Sequence, residues 1–178
     1  MHVEFSDVIQ KRRSTRKFTD TRISRDVIKE LIRAAQMAPT ASNLQAWRFI
    51  VADDLVIVKQ VCMFSPGISG HPPVVIAVAS DLREVEERGS ENSIRYGCMM
   101  DAAMAAKNLM LAAADRGLGT CAIKSYNPTA VKKILRIPDY FRLELLVTLG
   151  VSENETAAPA RKPLEKVLFW NSGDERNV

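Results

Sequence analysis

Between positions 96 and 114 the chain carries seven alanines and four methionines, the latter at 99, 100, 104 and 110. No other stretch limits the fold as strongly. The run approaches the roughly 20 apolar residues that a membrane-spanning helix needs, but Asp101, Lys107 and Asn108 interrupt it. It reads instead as a helix over about 92–116, closed by Gly117 and buried on nearly every side, because small side chains let neighbouring elements approach closely. A chain of 178 residues seldom covers one helix all round by itself. Part of this helix is therefore expected to lie against a second copy of the chain.

The remaining elements follow from periodicity and punctuation. Phe5, Val8 and Ile9 make an apolar stripe on a short first helix over 4–13, and Ser24 caps a second, whose face is Val27, Ile28, Leu31, Ile32 and Ala35. Residues 39–45 form a polar loop, 47–52 a strand and 54–62 a helix, while the Pro- and Gly-rich stretch 64–73 is irregular. The unbroken β-branched and alanine run 74–79 suits a central strand buried on both faces. A strand near 120–124, a short helix opened by Asn127-Pro128, a strand over 143–149 and an extended stretch over 153–160 come next. Order returns over 161–170, where Leu164, Val167, Leu168, Phe169 and Trp170 are too apolar to leave in water and are expected to wrap onto a partner subunit. No repeat or linker divides the sequence, so one α+β domain over 1–178 is expected.

Charge is concentrated at one end. Residues 1–25 hold seven Lys or Arg against three acids, an excess equal to the whole net charge of +4, so the pI of about 9.1 reports a local patch. Five of those cations lie in Lys11-Arg12-Arg13-Ser14-Thr15-Arg16-Lys17-Phe18. Such a cluster can meet nucleic-acid phosphates, can grip one small phosphorylated ligand, or can simply keep a surface solvated. Extended chain from Arg12 would put Arg12, Ser14 and Arg16 on one side and Arg13, Thr15 and Lys17 on the other. Two guanidinium forks and a hydroxyl on one side suit a phosphate or a polar ring edge.

Nucleophilic catalysis by the protein has little support. Neither His2 nor His71 has a catalytic partner in sequence, and there is no nucleophile elbow, P-loop lysine or paired metal ligand. Cys62, Cys98 and Cys121 are odd in number and far apart, which indicates neither a disulfide framework nor zinc and suits a reducing cytoplasm. No signal-peptide core follows the N-terminus, so the chain is expected to begin at Met1. Gly117-Leu118-Gly119-Thr120-Cys121-Ala122 matches G-x-G-x-x-A. A dinucleotide fingerprint needs a strand before it and a helix after it, whereas here the order is reversed. The motif is then a helix C-cap and turn, or a place where exposed backbone N–H groups approach a flat ligand. An enzyme built this way would leave its chemistry to a cofactor.

Taken in order, R-R-S-x-R-x-F from Arg12, S-N-x-Q-x-W from Ser42, G-L-G-T-C from Gly117 and R-K-P-L from Arg161 resemble the nitroreductase family, over about residues 6–170. The resemblance implies a homodimer with an α+β fold, a mixed central sheet flanked by helices, and two FMN molecules at the subunit interface, each site completed by both protomers. Arg12, Arg13, Ser14 and Arg16 would surround the phosphate, ribityl chain and pyrimidine edge, with Arg161, assisted by Lys162, near the phosphate. Pro39, Thr40, Ser42 and Asn43 would come from the other protomer, and Leu118 and Gly119 would lie against the isoalloxazine near N5. Ala46 stands where many members have Pro, and Pro159 where a basic residue often precedes the tail arginine.

The activity so implied is hydride transfer from NADH or NADPH through flavin N5 to a small electron acceptor such as a nitroaromatic or quinone. Arg16 would stabilise negative charge at the N1 and C2-carbonyl edge. Dehalogenation, flavin fragmentation or flavin storage are alternatives within the family. A nucleic-acid-binding module using residues 11–17 is the alternative from outside it.

Overall fold

The computed structural model describes residues 4–173; His2 lies outside them. Six helices and four strands follow in the order α1 (Phe5–Lys11), α2 (Arg25–Gln36), β1 (Trp47–Ala52), α3 (Leu55–Met63), β2 (Val74–Asp81), α4 (Leu82–Arg88), α5 (Cys98–Asp115), β3 (Gly119–Ile123), α6 (Pro128–Ile134) and β4 (Phe141–Gly150). The sheet order is β1-β2-β4-β3, and every neighbouring pair is antiparallel. The mixed sheet that the family likeness implies is thus antiparallel in its four described strands. Its parallel component is a single bridge between Ser14 and Thr120.

All eight residues of β2 are buried, as its apolar run predicts. Val74, Ile76 and Val78 face a core shared with α2 and α5, through Leu31, Ala35, Ala105 and Leu109. Val75, Ala77 and Ala79 face a second core under α3 and α6, through Val58, Val61 and Val131. The sheet is therefore covered on both faces by helices. Local chemistry sets the helix ends: Ser24 Oγ accepts from Val27 N–H, Asp54 Oδ1 from Val56 and Ile57 N–H, and Asn127 Oδ1 from Ala130 N–H.

The structure differs from expectation in three places. The predicted long helix is a π-helical turn over Ser93–Gly97 leading into α5. The separate helix α4 was not foreseen, because its sequence is mostly charged and gives no apolar stripe; the Asp81 side chain caps it by accepting from Arg83 N–H. Within one chain α5 is not covered all round: Tyr96, Met99, Met100 and Met104 are exposed, Met100 by 60%. Phe5 and Ile9 of the adjoining α1 are exposed too. The tail gains only a 3-10 turn at Leu164–Lys166, and Trp170 is 71% exposed. No described helix is long and apolar enough to cross a membrane.

Candidate functional site

Past the end of α1, residues 12–18 run across the end of the sheet. Thr15 N–H donates to Thr120 O at 2.9 Å on one side, and on the other Glu153 N–H donates to Lys17 O at 3.1 Å and Phe18 bridges Ser152. Glycines let the backbone come this close. A Cβ on Gly119 would sit 2.5 Å from Thr15 Oγ1, and one on Gly70 would collide with the Arg16 carbonyl oxygen. Thr15, only 5% exposed, is thereby locked against β3.

The two glycines of the G-x-G motif have separate explanations. Gly117, at φ +70°, ends α5 with a Schellman pattern in which its N–H bonds Ala114 O and Leu118 N–H bonds Ala113 O. Gly119 makes room for Thr15. Leu118 is half-buried and Gly119 buried within the chain.

Alternation along 12–17 is only partly as expected. Thr15 turns inward, while Ser14, Arg16 and Lys17 all line a groove of about 290 Å³ whose other wall is Ser152, Asn154, Glu155 and Thr156. Lys17 therefore joins Ser14 and Arg16. Arg13 folds back to donate to Gln10 O and Arg12 O at the end of α1, and Arg16 donates to Ser14 O at 3.3 Å. Arg12 Nη1 and Arg13 Nε are buried without a hydrogen-bond partner. Lys107 of α5, not foreseen as a site residue, has its ammonium pushed below the ordinary value, first by burial and then by the charge of Arg12. Two cations within electrostatic reach and an orphaned guanidinium nitrogen suit an anion: a phosphate would supply the missing acceptors. This donor set fits a phosphorylated cofactor with a polar ring edge.

The second group lies on the 39–45 loop. Ser42, Asn43 and Gln45 hold φ of 51°, 52° and 53°, left-handed values that cost non-glycine residues on the order of 1 kcal/mol or more each. Asn43 N–H to Thr40 O at 3.1 Å and Gln45 N–H to Thr40 Oγ1 at 3.2 Å close the loop. Pro39, Ser42 and Asn43 are exposed and Thr40 half-buried. Strain concentrated on an exposed polar loop marks a surface shaped for something else to meet. Asp101, missed by sequence reasoning, anchors this loop through Ala41 N–H.

Among the described residues no hydrogen bond joins the 39–43 loop to the 12–16 segment, and Arg161 and Lys162 are exposed without hydrogen bonds or ion pairs. Within one chain the Arg12–Arg16 segment is tied through Thr15 to Gly119 and Thr120, and no described hydrogen bond ties Pro39, Thr40, Ser42, Asn43, Arg161 or Lys162 to it.

Comparison with known proteins bears on this arrangement. A curated NADPH-dependent oxidoreductase of Staphylococcus aureus (strain MRSA252) is 33% identical over 186 residues, covering 93% of this chain and 72% of that protein. A nitroreductase family protein from Streptococcus pneumoniae TIGR4 superposes with a TM-score of 0.84 at 25% identity, over 94% of this chain and all of that one. At 19% identity, a protein from Exiguobacterium sibiricum 255-15 in complex with FMN shares the fold, with a TM-score of 0.86 over 96% of this chain and 99% of that one. The model of the nitroreductase family matches residues 9–61 and 63–151. With most of its length so matched, this chain belongs to the nitroreductase family.

Proposed function

We propose that the protein is a homodimeric, FMN-dependent oxidoreductase that takes reducing equivalents from NADH or NADPH and passes them to a small acceptor such as a nitroaromatic or quinone. The observation that carries the reading is the buried, unpartnered Arg12 Nη1 at the head of a segment locked against Gly119. Family membership supports the reaction class, the name of the Staphylococcus aureus relative supports the reductant, and the FMN complex that shares the fold supports the cofactor.

Arg12, with Lys107 beside it, would hold the phosphate, Arg13 and Ser14 the phosphate and ribityl side, and Arg16 the pyrimidine edge. FMN bound there would supply the capacity to accept a hydride at N5 and deliver it to the acceptor. The Arg16 guanidinium would oppose negative charge building at the N1 and C2-carbonyl edge. Leu118 and Gly119 would back the ring.

Dimerisation would complete this site. The exposed face of Tyr96, Met99, Met100 and Met104, next to Phe5 and Ile9, is an apolar patch of the kind that subunit association removes from water. A second copy would bring Pro39, Thr40, Ser42 and Asn43 toward the flavin, and the tail, by wrapping onto the partner, would bring Arg161 and Lys162 toward the phosphate. Residues 1–178 form one FMN-binding domain in this reading, and it works in the cytoplasm.

The purified protein should be yellow and should bleach anaerobically on addition of NADH or NADPH. Arg16→Ala should weaken FMN binding and slow flavin reduction; unchanged values of both remove the role given to Arg16. A colourless protein that takes up no added FMN, and is held instead by polyanions with affinity falling steeply as salt rises, overturns the reading in favour of nucleic-acid binding.

A further inference from the structure

Asp101 sits among the alanines and methionines of α5, 8% exposed, with no cation paired to it among the described residues. A buried carboxylate in that position is costly unless something bonds it. Both its oxygens lie 3.2 Å from Ala41 N, which donates to them. The bond joins α5 to the strained 39–45 loop. The loop's other short-range bonds, Asn43 N–H to Thr40 O, Leu44 N–H to Ala41 O and Gln45 Nε2 to Asn43 Oδ1, are internal. They set its shape but not its seat on the helix. At the far end of the loop, Leu44 is buried against Val85 and Cys98, and Arg48 donates to Gln45 O at 3.3 Å. At the near end, Asp101 supplies the polar tie.

We propose that Asp101 is a positioning residue for the flavin site: by holding Ala41 N–H it fixes Thr40, Ser42 and Asn43 in the orientation from which they meet the cofactor. This rests on the reading of those residues as flavin contacts. A carboxylate suits the task because its two oxygens share one N–H symmetrically, so small rotations of the side chain leave the bond intact. The half-buried Thr40 and the exposed Ser42 and Asn43 then keep their left-handed or extended backbone without the cofactor having to impose it, which lowers the ordering cost of binding.

The test is FMN titration of the apo-protein by flavin fluorescence, with Asp101→Ala, Asp101→Asn and Ala41→Pro. Asparagine keeps an acceptor oxygen, so Asp101→Asn should bind FMN within about threefold of wild type. Asp101→Ala should bind about ten- to a hundredfold more weakly, the range expected when a backbone N–H is left without its acceptor. Ala41→Pro deletes the donor instead; Thr40 is already extended at φ −133° and ψ 150°, the conformation that a residue before proline prefers. It should weaken FMN similarly, and the double variant Asp101→Ala/Ala41→Pro should be no weaker than the worse single one. Ala41→Pro also carries the test should Asp101→Ala fail to fold. Val58→Ala, in the core beneath α3, should lower Tm and leave FMN affinity unchanged, which separates positioning from general destabilisation.

Wild-type affinity in both Asp101→Ala and Ala41→Pro, in a protein whose wild type binds FMN, overturns the proposal and leaves the flavin reading standing. Equal loss in Asp101→Asn and Asp101→Ala overturns it too, because the charge and not the hydrogen bond would then matter. Failure of the wild type to bind FMN removes the flavin reading itself, and this inference with it.

Discussion

Replacing Gly119 by alanine tests the contact that seats the Arg12–Arg16 segment. The added Cβ would lie 2.5 Å from Thr15 Oγ1 and 2.7 Å from its Cβ and Cγ2, against about 3.5–4.0 Å for comfortable contact between carbons. Rotating the Thr15 side chain cannot relieve this, because its Cβ is fixed to the backbone. The backbone is itself bonded, Thr15 N–H to Thr120 O at 2.9 Å, so segment and strand must part by about 1 Å. Overpacking of this kind costs about 1–3 kcal/mol. Taking about 2 kcal/mol as the centre, Tm should fall by about 4–8 °C in a chain of this size. Ser14 and Arg16 would move with Thr15, so FMN should bind about tenfold more weakly or worse. Circular dichroism at one fixed protomer concentration measures the first effect, since association shifts Tm by mass action, and FMN titration measures the second. Adding Thr15→Gly removes the atoms in conflict and should restore affinity, although not all the stability, because the new glycine enlarges the unfolded ensemble. A Gly119→Ala protein with wild-type Tm and wild-type FMN affinity refutes the argument, as does a double variant no tighter than Gly119→Ala alone.

Met100→Asp with Met104→Asp should turn the proposed dimer into a monomer in sedimentation velocity and release FMN, while the protomer stays folded, because both side chains are already exposed in a single chain. Asp54→Ala removes acceptors for Val56 and Ile57 N–H and should lower stability by about 1 kcal/mol with no change in FMN affinity. The pH dependence of unfolding should carry two opposite signatures. The hydrogen bond from Arg83 holds the Asp81 carboxyl below its ordinary 3.8, so its contribution is complete above that value and is lost as pH falls through the lowered one; Asp81→Asn should flatten the acid limb. Burial pushes Asp101 above 3.8, so its native form keeps its proton longer than the unfolded one. Its favourable contribution is complete below pH 3.8 and lost as pH rises through the raised value, and Asp101→Asn should gain stability at pH 7 with the gain vanishing toward pH 3.

Much of this molecule was legible from its sequence because the signals are local. The β2 run, the Ser24 and Asn127 caps and the Gly117 stop each depend on a few neighbouring residues, and each lies where periodicity and capping put it. The helix α4 escaped because a charged seven-residue segment can be held by one cap and the contact of Val85, neither of which has a pattern. Of the site, the basic segment and the polar loop were visible as composition. Lys107 and Asp101 were visible only as interruptions of an apolar helix, and nothing in their neighbourhood says which distant backbone or charge they face.

The sequence by itself determined the elements, the central buried strand and the set of motifs that mark a nitroreductase family member, since these depend on side-chain period and on short spacings. Only the tertiary structure decided that Thr15 needs Gly119, that Gly70 yields to the Arg16 carbonyl, and that Asp101 grips Ala41. Each of these is a fit between atoms far apart along the chain, fixed by sheet register and by excluded volume. Periodicity carries information about which face of an element is apolar; it carries none about which atoms will meet across the space between two elements.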